Sequence, residues 1–312
     1  MSQVELRIVL MGSPDFGIPS FEAILNAGYT VPAAVTVPDK QKGRGLKVQY
    51  SDVKKFAIEK NIPLLQPESL KDEEFINQLK ELKPDLFVII AFRILPSEVF
   101  GIPKYGSINL HASLLPKYRG AAPINWAIIN GERESGLTTF FLNEKVDTGN
   151  IILQKKVSIG ADETFGEVYY RMSDEGPSLI LKTIELILSG SYNLTTQDNL
   201  EWSKAPKLFR EKCRIDWNQP AQKIHNFVRG LSPAPCAYTT YNGKTLKIYR
   251  TKMTDEKTKD APALAYVSGR SLFVNAADAV LEILELQPEG KKMMKAADFV
   301  NGISKDAEII IK

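Results

Sequence analysis

Cysteine, histidine and long apolar runs are all scarce in this chain of 312 residues. The two cysteines, Cys213 and Cys236, have no CxxC spacing and no histidine cluster beside them, which disfavours a structural zinc site and a disulfide framework. No segment approaches the ~18 consecutive apolar residues of a transmembrane helix, and the first residues do not have the layout of a signal peptide. These absences predict a cytoplasmic protein with reduced thiols.

A complete glycine-rich dinucleotide loop is also missing. Gly12 and Gly17 bracket the turn between the first predicted strand and the first predicted helix, where such a loop has the pattern G-x-G-x-x-G. Pro14 replaces the second glycine, at the position where a pyrophosphate needs close approach to the backbone. The sequence therefore disfavours a dinucleotide cofactor and a free nucleotide substrate.

Charge is unevenly distributed along the chain. Residues 1–206 contain 22 Lys and Arg against 25 Asp and Glu, whereas residues 207–312 contain 18 against 12. A basic C-terminal region behind a mildly acidic N-terminal one favours a polyanionic partner such as nucleic acid. An excess of this size is also common on solvated surfaces, so charge alone leaves both interpretations open.

The first half of the chain alternates strand-like and helix-like segments. Strands are predicted at 4–11, 31–37 and 85–90, and helices at 19–27, 51–61 and 71–80. The run at 85–90 is apolar on both faces, as expected of a central parallel strand. This alternation predicts an α/β fold with an open, mostly parallel sheet between two layers of helices.

The second half changes character after a long amphipathic helix predicted at 165–188. Residues 137–142 and 150–159 are predicted to form an antiparallel pair, and the polar segment 190–207 is predicted to be a linker. After a helix at 220–230, evenly spaced short strands predict a small barrel, at 237–241, 245–250, 264–268, 272–275 and 279–286. The predicted domains are therefore 1–189 and 208–312.

Asn109 and His111 stand two positions apart in a strand-like segment. Residues i and i+2 of an extended strand share a face, so the amide and the imidazole are predicted to point into one cavity. Asp147 follows another strand-like run, just before Thr148 and Gly149. A carboxylate, an imidazole and an amide can together move a proton and stabilise a developing oxyanion. We predict that these three residues are catalytic.

The same residues also have structural explanations. A lone histidine at the end of a strand is more often a structural residue than a catalyst. Asp-Thr-Gly after a strand is typical of a turn, and an asparagine such as Asn109 equally suits a loop cap. His225, which lies in a helix-like segment without comparable neighbours, is interpreted as structural.

Longer stretches of sequence favour the catalytic interpretation. They are RIVLMGSPDFGIPS (7–20), VPDKQKGRG (37–45), SINLHASLLPKYRGAAPINWAIINGE (107–132), VDTG (146–149) and LQPEGKKMMKAADFVNG (286–302). In this order they resemble the formyltransferases that use 10-formyltetrahydrofolate, over nearly the whole chain. The N-terminal and C-terminal matches resemble in particular the members of that family that act on a charged tRNA.

This resemblance implies a Rossmann-like formyltransferase domain, followed by a linker and a smaller C-terminal β-barrel similar to an oligonucleotide-binding fold. It implies a monomeric enzyme of translation initiation, which transfers a formyl group from 10-formyltetrahydrofolate to the α-amine of methionine on initiator methionyl-tRNA. Asn109, His111 and Asp147 would be the catalytic residues, and the reaction would require no metal.

The resemblance also implies a folate pocket built from two short segments. Ser113, Leu114, Leu115 and Pro116 would line one side, and Ala91, Phe92 and Arg93 the other. The family more often has a Tyr-Gly pair after the alanine. Arg93 in place of that glycine puts the local backbone shape in doubt, because glycine adopts positive φ without a steric penalty. It would also place a cation near the acidic tail of the folate.

The predicted tRNA contacts lie in two regions. Residues 37–47 are predicted to form a long, basic, mobile loop, and the matching loop of the family reaches the acceptor end of the tRNA. Arg44 is the residue carried over from the family, with Lys40, Lys42 and Lys47 as phosphate contacts. The candidates in the C-terminal region are Lys207, Arg210, Lys244, Lys247, Lys291 and Lys292.

Two other functions stay open on the sequence. A formyl-folate enzyme acting on a small amine, such as an amino-sugar nucleotide, would need the same three catalytic residues but would gain nothing from a basic C-terminal domain. A nucleic-acid-binding protein with an inert catalytic domain would bind tRNA without folate. The presence of Asn109, His111 and Asp147 together argues against that second alternative.

Overall fold

The computed structural model describes residues 6–42, 47–198, 200–258, 260–302 and 309–311. The chain forms two compact units, each assembled from three separate stretches. The first unit contains Met1–Gly120, Gly136–Val157 and Tyr169–Lys204, and the second contains Ala121–Ser135, Ser158–Val168 and Ala205–Lys312. Among the described residues, no helix is long and apolar enough to cross a membrane.

A seven-stranded sheet forms the centre of the first unit. The strands up to residue 158 are β1 (Ile8–Gly12), β2 (Ala34–Val35), β3 (Lys40–Lys42), β4 (Lys47–Gln49), β5 (Leu64–Leu65), β6 (Leu86–Ile90), β7 (Ser107–His111), β8 (Arg119–Gly120), β9 (Glu134–Phe141) and β10 (Ile151–Ser158). The sheet has the order β10-β9-β7-β6-β1-β2-β5. Its pairs from β5 to β7 are parallel, whereas β7 and β9 are antiparallel. This topology confirms the predicted Rossmann-like, mostly parallel sheet.

Helices cover the two faces of this sheet. The helices of the chain are α1 (Ile18–Asn26), α2 (Asp52–Glu59), α3 (Glu73–Glu81), α4 (Ser97–Phe100), α5 (Pro123–Ile129), α6 (Phe165–Ser189), α7 (Ala221–Leu231) and α8 (Ala296–Val300), with short 3-10 helices at Asp15–Gly17 and Arg210–Lys212. Val9 of β1 packs in one apolar cluster with Phe75 and Leu79 of α3. Ile8 and Leu10, which point to the opposite face, are also fully buried. β1 is therefore buried on both faces, as is typical of a strand with a continuous apolar run in a parallel sheet.

The segment predicted as an irregular loop at 37–47 contains regular structure. β3 and β4 pair antiparallel there, with Lys40 opposite Gln49 and Lys42 opposite Lys47. Within the predicted loop, Lys40–Lys42 therefore form a strand, and β4 begins at its last residue, Lys47. Polar residues that alternate along such a short pair give no apolar face, so the strand period cannot be recognised from hydrophobicity.

The second unit is built around an antiparallel sheet. The remaining strands are β11 (Lys204–Ala205), β12 (Ala237–Tyr241), β13 (Lys244–Lys257), β14 (Leu264–Ser268), β15 (Ser271–Asn275), β16 (Ala279–Pro288), β17 (Met294–Lys295) and β18 (Ile309–Ile310). The sheet has the order β12-β13-β16-β15-β14-β18, and β17 pairs with β16. A bridge between Tyr241 and Ile311 joins the two ends of this order, which closes the sheet into the predicted barrel.

Helix α7 packs into the core of this unit. Its apolar side chains Ile224, Val228 and Leu231 belong to the same core as Trp217 and the inward residues of the barrel strands. Helix α5 packs against α7, where the Asn125 amide donates to the Gly230 carbonyl oxygen at 2.8 Å. The second unit therefore includes α5, which lies about a hundred residues before α7 in the chain.

Candidate active site

Asn109 and His111 lie on β7, in the interior of the first sheet. Asn109 is in register with Ile89 of β6 on one side and with Phe140 of β9 on the other. Because the two residues are two positions apart on an extended strand, their side chains are on the same face of the sheet. The His111 side chain is 8% exposed and that of Asp147 is 16% exposed, so the carboxylate and the imidazole meet in a largely desolvated site.

The two ring nitrogens of His111 have different partners. Nε2 lies 2.9 Å from the main-chain oxygen of Tyr118, and Nδ1 lies 3.8 Å from Oδ2 of Asp147. A carbonyl oxygen only accepts, so Nε2 must carry a hydrogen. In the neutral imidazole the lone pair is then on Nδ1, facing the carboxylate.

Asp147 occupies a strained turn between β9 and β10. Its φ is +53°, which non-glycine residues rarely adopt. Oδ2 of Asp147 accepts a hydrogen bond from the Gly120 N–H group at 2.8 Å. At Gly149, two residues further along, an added Cβ would overlap the Phe141 main chain. The turn thus needs glycine at 149, and the bond from Gly120 orients the carboxylate toward His111.

Gln197 holds the same turn from the other side. Its side-chain amide donates to the main-chain oxygens of Asp147 at 3.0 Å and of Gly149 at 2.8 Å, and the residue is buried. Its Oε1 accepts from both Nε (3.0 Å) and an Nη (2.7 Å) of Arg119. Nothing in the polar segment around Gln197 distinguishes it in the sequence, because a buried glutamine among turn residues leaves no periodic pattern.

The predicted folate segment from Ser113 to Pro116 is anchored to β9 and β10. The Thr138 hydroxyl donates to the Ser113 main-chain oxygen at 2.6 Å and accepts from the Leu115 N–H group at 3.2 Å. The Gln154 amide donates to the Leu115 main-chain oxygen at 2.8 Å. Leu115 is buried, whereas Leu114 is partly exposed. Thr138 and Gln154 are thus supports of this loop that the sequence did not point to.

The second predicted folate segment has its positive φ two positions before Arg93, which stands in place of the family's glycine. Ala91 has a φ of +50°, and Arg93 is not among the residues with positive φ. The guanidinium of Arg93 donates to the main-chain oxygens of Pro67 at 2.7 Å and Glu68 at 3.0 Å. Burial lowers the pKa of Arg93. Arg93 therefore fastens the 67–68 loop to the end of β6, which accounts for an arginine at this position.

The predicted tRNA contacts are spread over both units. Lys40 is exposed on β3. Arg44 and the side chains of Lys42 and Lys47 lie outside the described residues. In the second unit, Lys244 and Lys247 are on β13, and Lys291 and Lys292 are exposed in the turn after β16. Lys207 and Arg210 are both exposed as well, and the Lys207 Nζ lies 5.6 Å from the centre of the Phe209 ring.

Two family models match the chain. The model described as formyl transferase matches residues 6–184, and the model described as formyl transferase, C-terminal domain, matches residues 207–304. Together they cover nearly all of the sequence. The described part of the chain holds no group of three or more His, Cys, Asp or Glu side chains placed to bind a metal ion.

Full-length relatives are similar to the chain throughout. A methionyl-tRNA formyltransferase of Porphyromonas gingivalis is 43% identical over 323 aligned positions and is covered, like this chain, to 100%. That of Clostridioides difficile is 44% identical, over 98% of this chain and 100% of the relative. Both similarities extend across the two matched regions.

Solved structures share the fold at lower identity. The sugar 3N-formyl transferase WlaRD, crystallised with dTDP and 5-N-formyl-THF, has a TM-score of 0.68 at 22% identity, over 92% of this chain and 99% of that one. HypX from Aquifex aeolicus in complex with tetrahydrofolic acid has a TM-score of 0.67 at 16% identity, over 98% of this chain and 50% of that one. At these identities the likeness establishes the architecture alone.

Proposed function

This chain belongs to the formyl transferase family, and on that basis we propose that it formylates the α-amine of methionine carried by initiator methionyl-tRNA, with 10-formyltetrahydrofolate as the donor. The reaction class is one-carbon group transfer. The observation that supports the tRNA acceptor is similarity of 43–44% over the whole chain to methionyl-tRNA formyltransferases, including the C-terminal region.

The small-amine alternative has weaker support. The sugar formyltransferase WlaRD is 22% identical and shares the fold with this chain. The chemistry at the formyl carbon is the same for a tRNA acceptor and for a small amine, so membership of the family does not distinguish the two. The acceptor is decided by the surfaces around the site, and the basic region at 207–312 suits a polyanion better than an amino sugar.

The geometry supports a simple acyl-transfer sequence. The methionine nitrogen attacks the formyl carbon, a tetrahedral oxyanion forms, and the bond from that carbon to N10 of tetrahydrofolate breaks. Asn109 would donate an N–H group to the oxyanion. His111 would take up the proton lost by the attacking amine at Nδ1, stabilised by Asp147, and the same proton would pass to N10 as the folate amine leaves.

Each remaining region has a place in this proposal. Ser113 to Pro116 and Ala91 to Arg93 would line the folate pocket, and the lysines and arginines predicted from the sequence would meet the tRNA backbone. Residues 1–189 would form the catalytic domain, 190–207 the linker and 208–312 the tRNA-binding domain. We also propose that the enzyme acts as a monomer in the cytoplasm, where charged tRNA is available.

The test is single-turnover formyl transfer from 10-formyltetrahydrofolate. The acceptors are charged initiator tRNA, charged elongator tRNA, free methionine and a nucleotide-linked amino sugar. We expect rapid transfer to the initiator tRNA alone. Transfer to the amino sugar, with none to either tRNA, would replace the proposed acceptor with the small amine and leave the donor unchanged.

A further inference from the structure

A groove of about 650 Å³ opens beside Asp147 in the first unit. Val146 and Thr148, the neighbours of Asp147 in the chain, both line it, as does Gly120, whose N–H group binds the Asp147 carboxylate. The groove therefore lies next to Asp147 in the first unit. Its volume falls within the range of about 300–1,000 Å³ that is typical of ligand sites.

Trp202 forms one wall of this groove. The residue is 43% exposed, although a tryptophan buries more apolar area than other side chains when it is packed. Trp202 lies in the segment between α6 and β11. Among the residues that line the groove, it is the aromatic one. An exposed indole at the edge of a reaction site is available to a planar ligand.

Two cations lie over the indole ring. The Lys204 Nζ lies 5.4 Å from the centre of the Trp202 ring, and the Arg119 guanidinium carbon lies 6.0 Å from it. Lys145 lines the same groove. An aromatic ring combined with lysine and arginine side chains is the arrangement with which proteins bind single-stranded nucleic acid, because the ring stacks on a base while the cations meet the phosphates.

We propose that this groove binds the 3′-terminal adenosine of the charged tRNA, with its base stacked on Trp202. The inference rests on the proposed function and specifies how the acceptor end is held. The terminal ribose carries the methionine ester, so a base on Trp202 would bring the α-amine to the side of the groove next to Asp147. The cations then face the last phosphodiester groups.

The chemistry of the groove favours the base over the methionine side chain. Its lining includes Asn143, Thr148, Thr196 and Gln197 besides the cations, whereas a thioether side chain requires an enclosed apolar pocket. The folate is proposed to bind along Ser113 to Pro116, and none of those residues lines this groove. The groove is therefore assigned to the nucleotide.

The test compares Trp202→Ala, Trp202→Phe and Trp202→Leu in steady-state formyl transfer to charged initiator tRNA. Stacking of one base on an aromatic ring corresponds to roughly a tenfold or larger effect on binding. We expect Trp202→Ala and Trp202→Leu to raise KM for the tRNA about tenfold, with kcat and the KM for 10-formyltetrahydrofolate nearly unchanged. Trp202→Phe, which keeps an aromatic face, should retain most of the affinity.

Leu200→Ala is the matched control, because Leu200 is 93% exposed two residues away and does not line the groove. It should leave KM unchanged. An unchanged KM for the tRNA in Trp202→Ala, or an equal KM in Trp202→Leu and Trp202→Phe, would overturn the stacking proposal. The proposed function would still stand, provided that the wild type transfers the formyl group to the tRNA. Absence of transfer by the wild type would overturn the function, and the inference with it.

Discussion

The side-chain amide of Gln197 donates to the main-chain oxygen of Asp147 at 3.0 Å. The bond reaches the backbone of the turn and leaves the carboxylate free for Gly120 and His111. A residue with positive φ persists only where its surroundings hold it, and Gln197 is part of that support. Gln197 is in this sense a positioning residue for the proposed catalytic pair of His111 and Asp147.

We expect Gln197→Ala to lower kcat by up to about a hundredfold, because a small displacement of a reacting group has an effect of that size. The KM for 10-formyltetrahydrofolate should change little. The measurement is kcat and KM, together with the pH profile of kcat. A purely structural defect would leave the shape of that pH profile unchanged. Gln197→Glu should also fail, since a carboxylate cannot donate to the two carbonyl oxygens. Full activity in both variants would contradict the positioning role.

Substitutions in the proposed catalytic set should have larger effects. We expect Asn109→Ala, His111→Ala and Asp147→Ala each to lower the single-turnover rate by about 10²–10³-fold, because each removes an oxyanion donor or the proton-moving pair. The rate is measured with saturating 10-formyltetrahydrofolate and charged initiator tRNA. Asp198→Ala is the control, an exposed carboxylate next to Gln197. A variant that keeps a near wild-type rate would remove that residue from the mechanism.

Gly136 on β9 offers a test of the folate loop that leaves the catalytic residues intact. An added Cβ there would overlap the main-chain oxygen of Lys155 and approach Leu114 Cδ2 to 2.6 Å. We expect Gly136→Ala to displace the loop, raise the KM for 10-formyltetrahydrofolate and destabilise the protein by about 1–3 kcal/mol. Gly302→Ala is the control, because the nearest atom to its added Cβ is 3.5 Å away. An unchanged folate KM would exclude this loop from the pocket.

His225 should make the stability of the second unit sensitive to acid. Burial lowers the pKa of His225 below its ordinary value of 6.5, and the nearby charge of Arg229 lowers it further, against the opposing effects of the Ala161 carbonyl and Asp162. The folded state therefore holds His225 neutral, while the unfolded chain takes up a proton as the pH falls below 6.5. The stabilisation is present above that pH and is lost below it.

The measurement is the free energy of unfolding in urea between about pH 8 and about pH 5, followed by the fluorescence of the buried Trp217. We expect the wild type to lose more stability over this interval than His225→Gln, which carries no titrating group. The Gln variant starts from a lower stability, because the hydrogen bond between Nδ1 of His225 and the Thr251 hydroxyl is altered. Equal pH dependence of the two proteins would rule out His225 as the source.

Much of the fold follows from local chemistry that one sequence displays. Ser51 was predicted as the start of a helix, and its hydroxyl accepts from the Lys54 N–H group at 3.0 Å at the N-terminus of α2. The apolar run at 85–90 predicted a central strand, and β6 is buried at every position. Caps and apolar periodicity are short-range signals, so they do not depend on knowing the rest of the structure.

The supports of the site could not be predicted in the same way. Gln197, Thr138 and Gln154 act through hydrogen bonds to main-chain atoms that are distant in the sequence, and no local pattern records such bonds. The role of Arg93 was also hidden, because its partners are the carbonyl oxygens of Pro67 and Glu68 rather than side chains. A residue type alone does not reveal which backbone atom it will reach.

The pairing of α5 with α7 affects how the chain folds during synthesis. Asn125 and Gly230 bond across 105 positions of sequence, so α5 leaves the ribosome long before the helix that covers it. Until then Ile129 of α5, which packs against the apolar core of the second unit, lacks that core and is exposed to self-association. Nascent chains that stop short of α7 are therefore expected to be a substrate for chaperones and proteases.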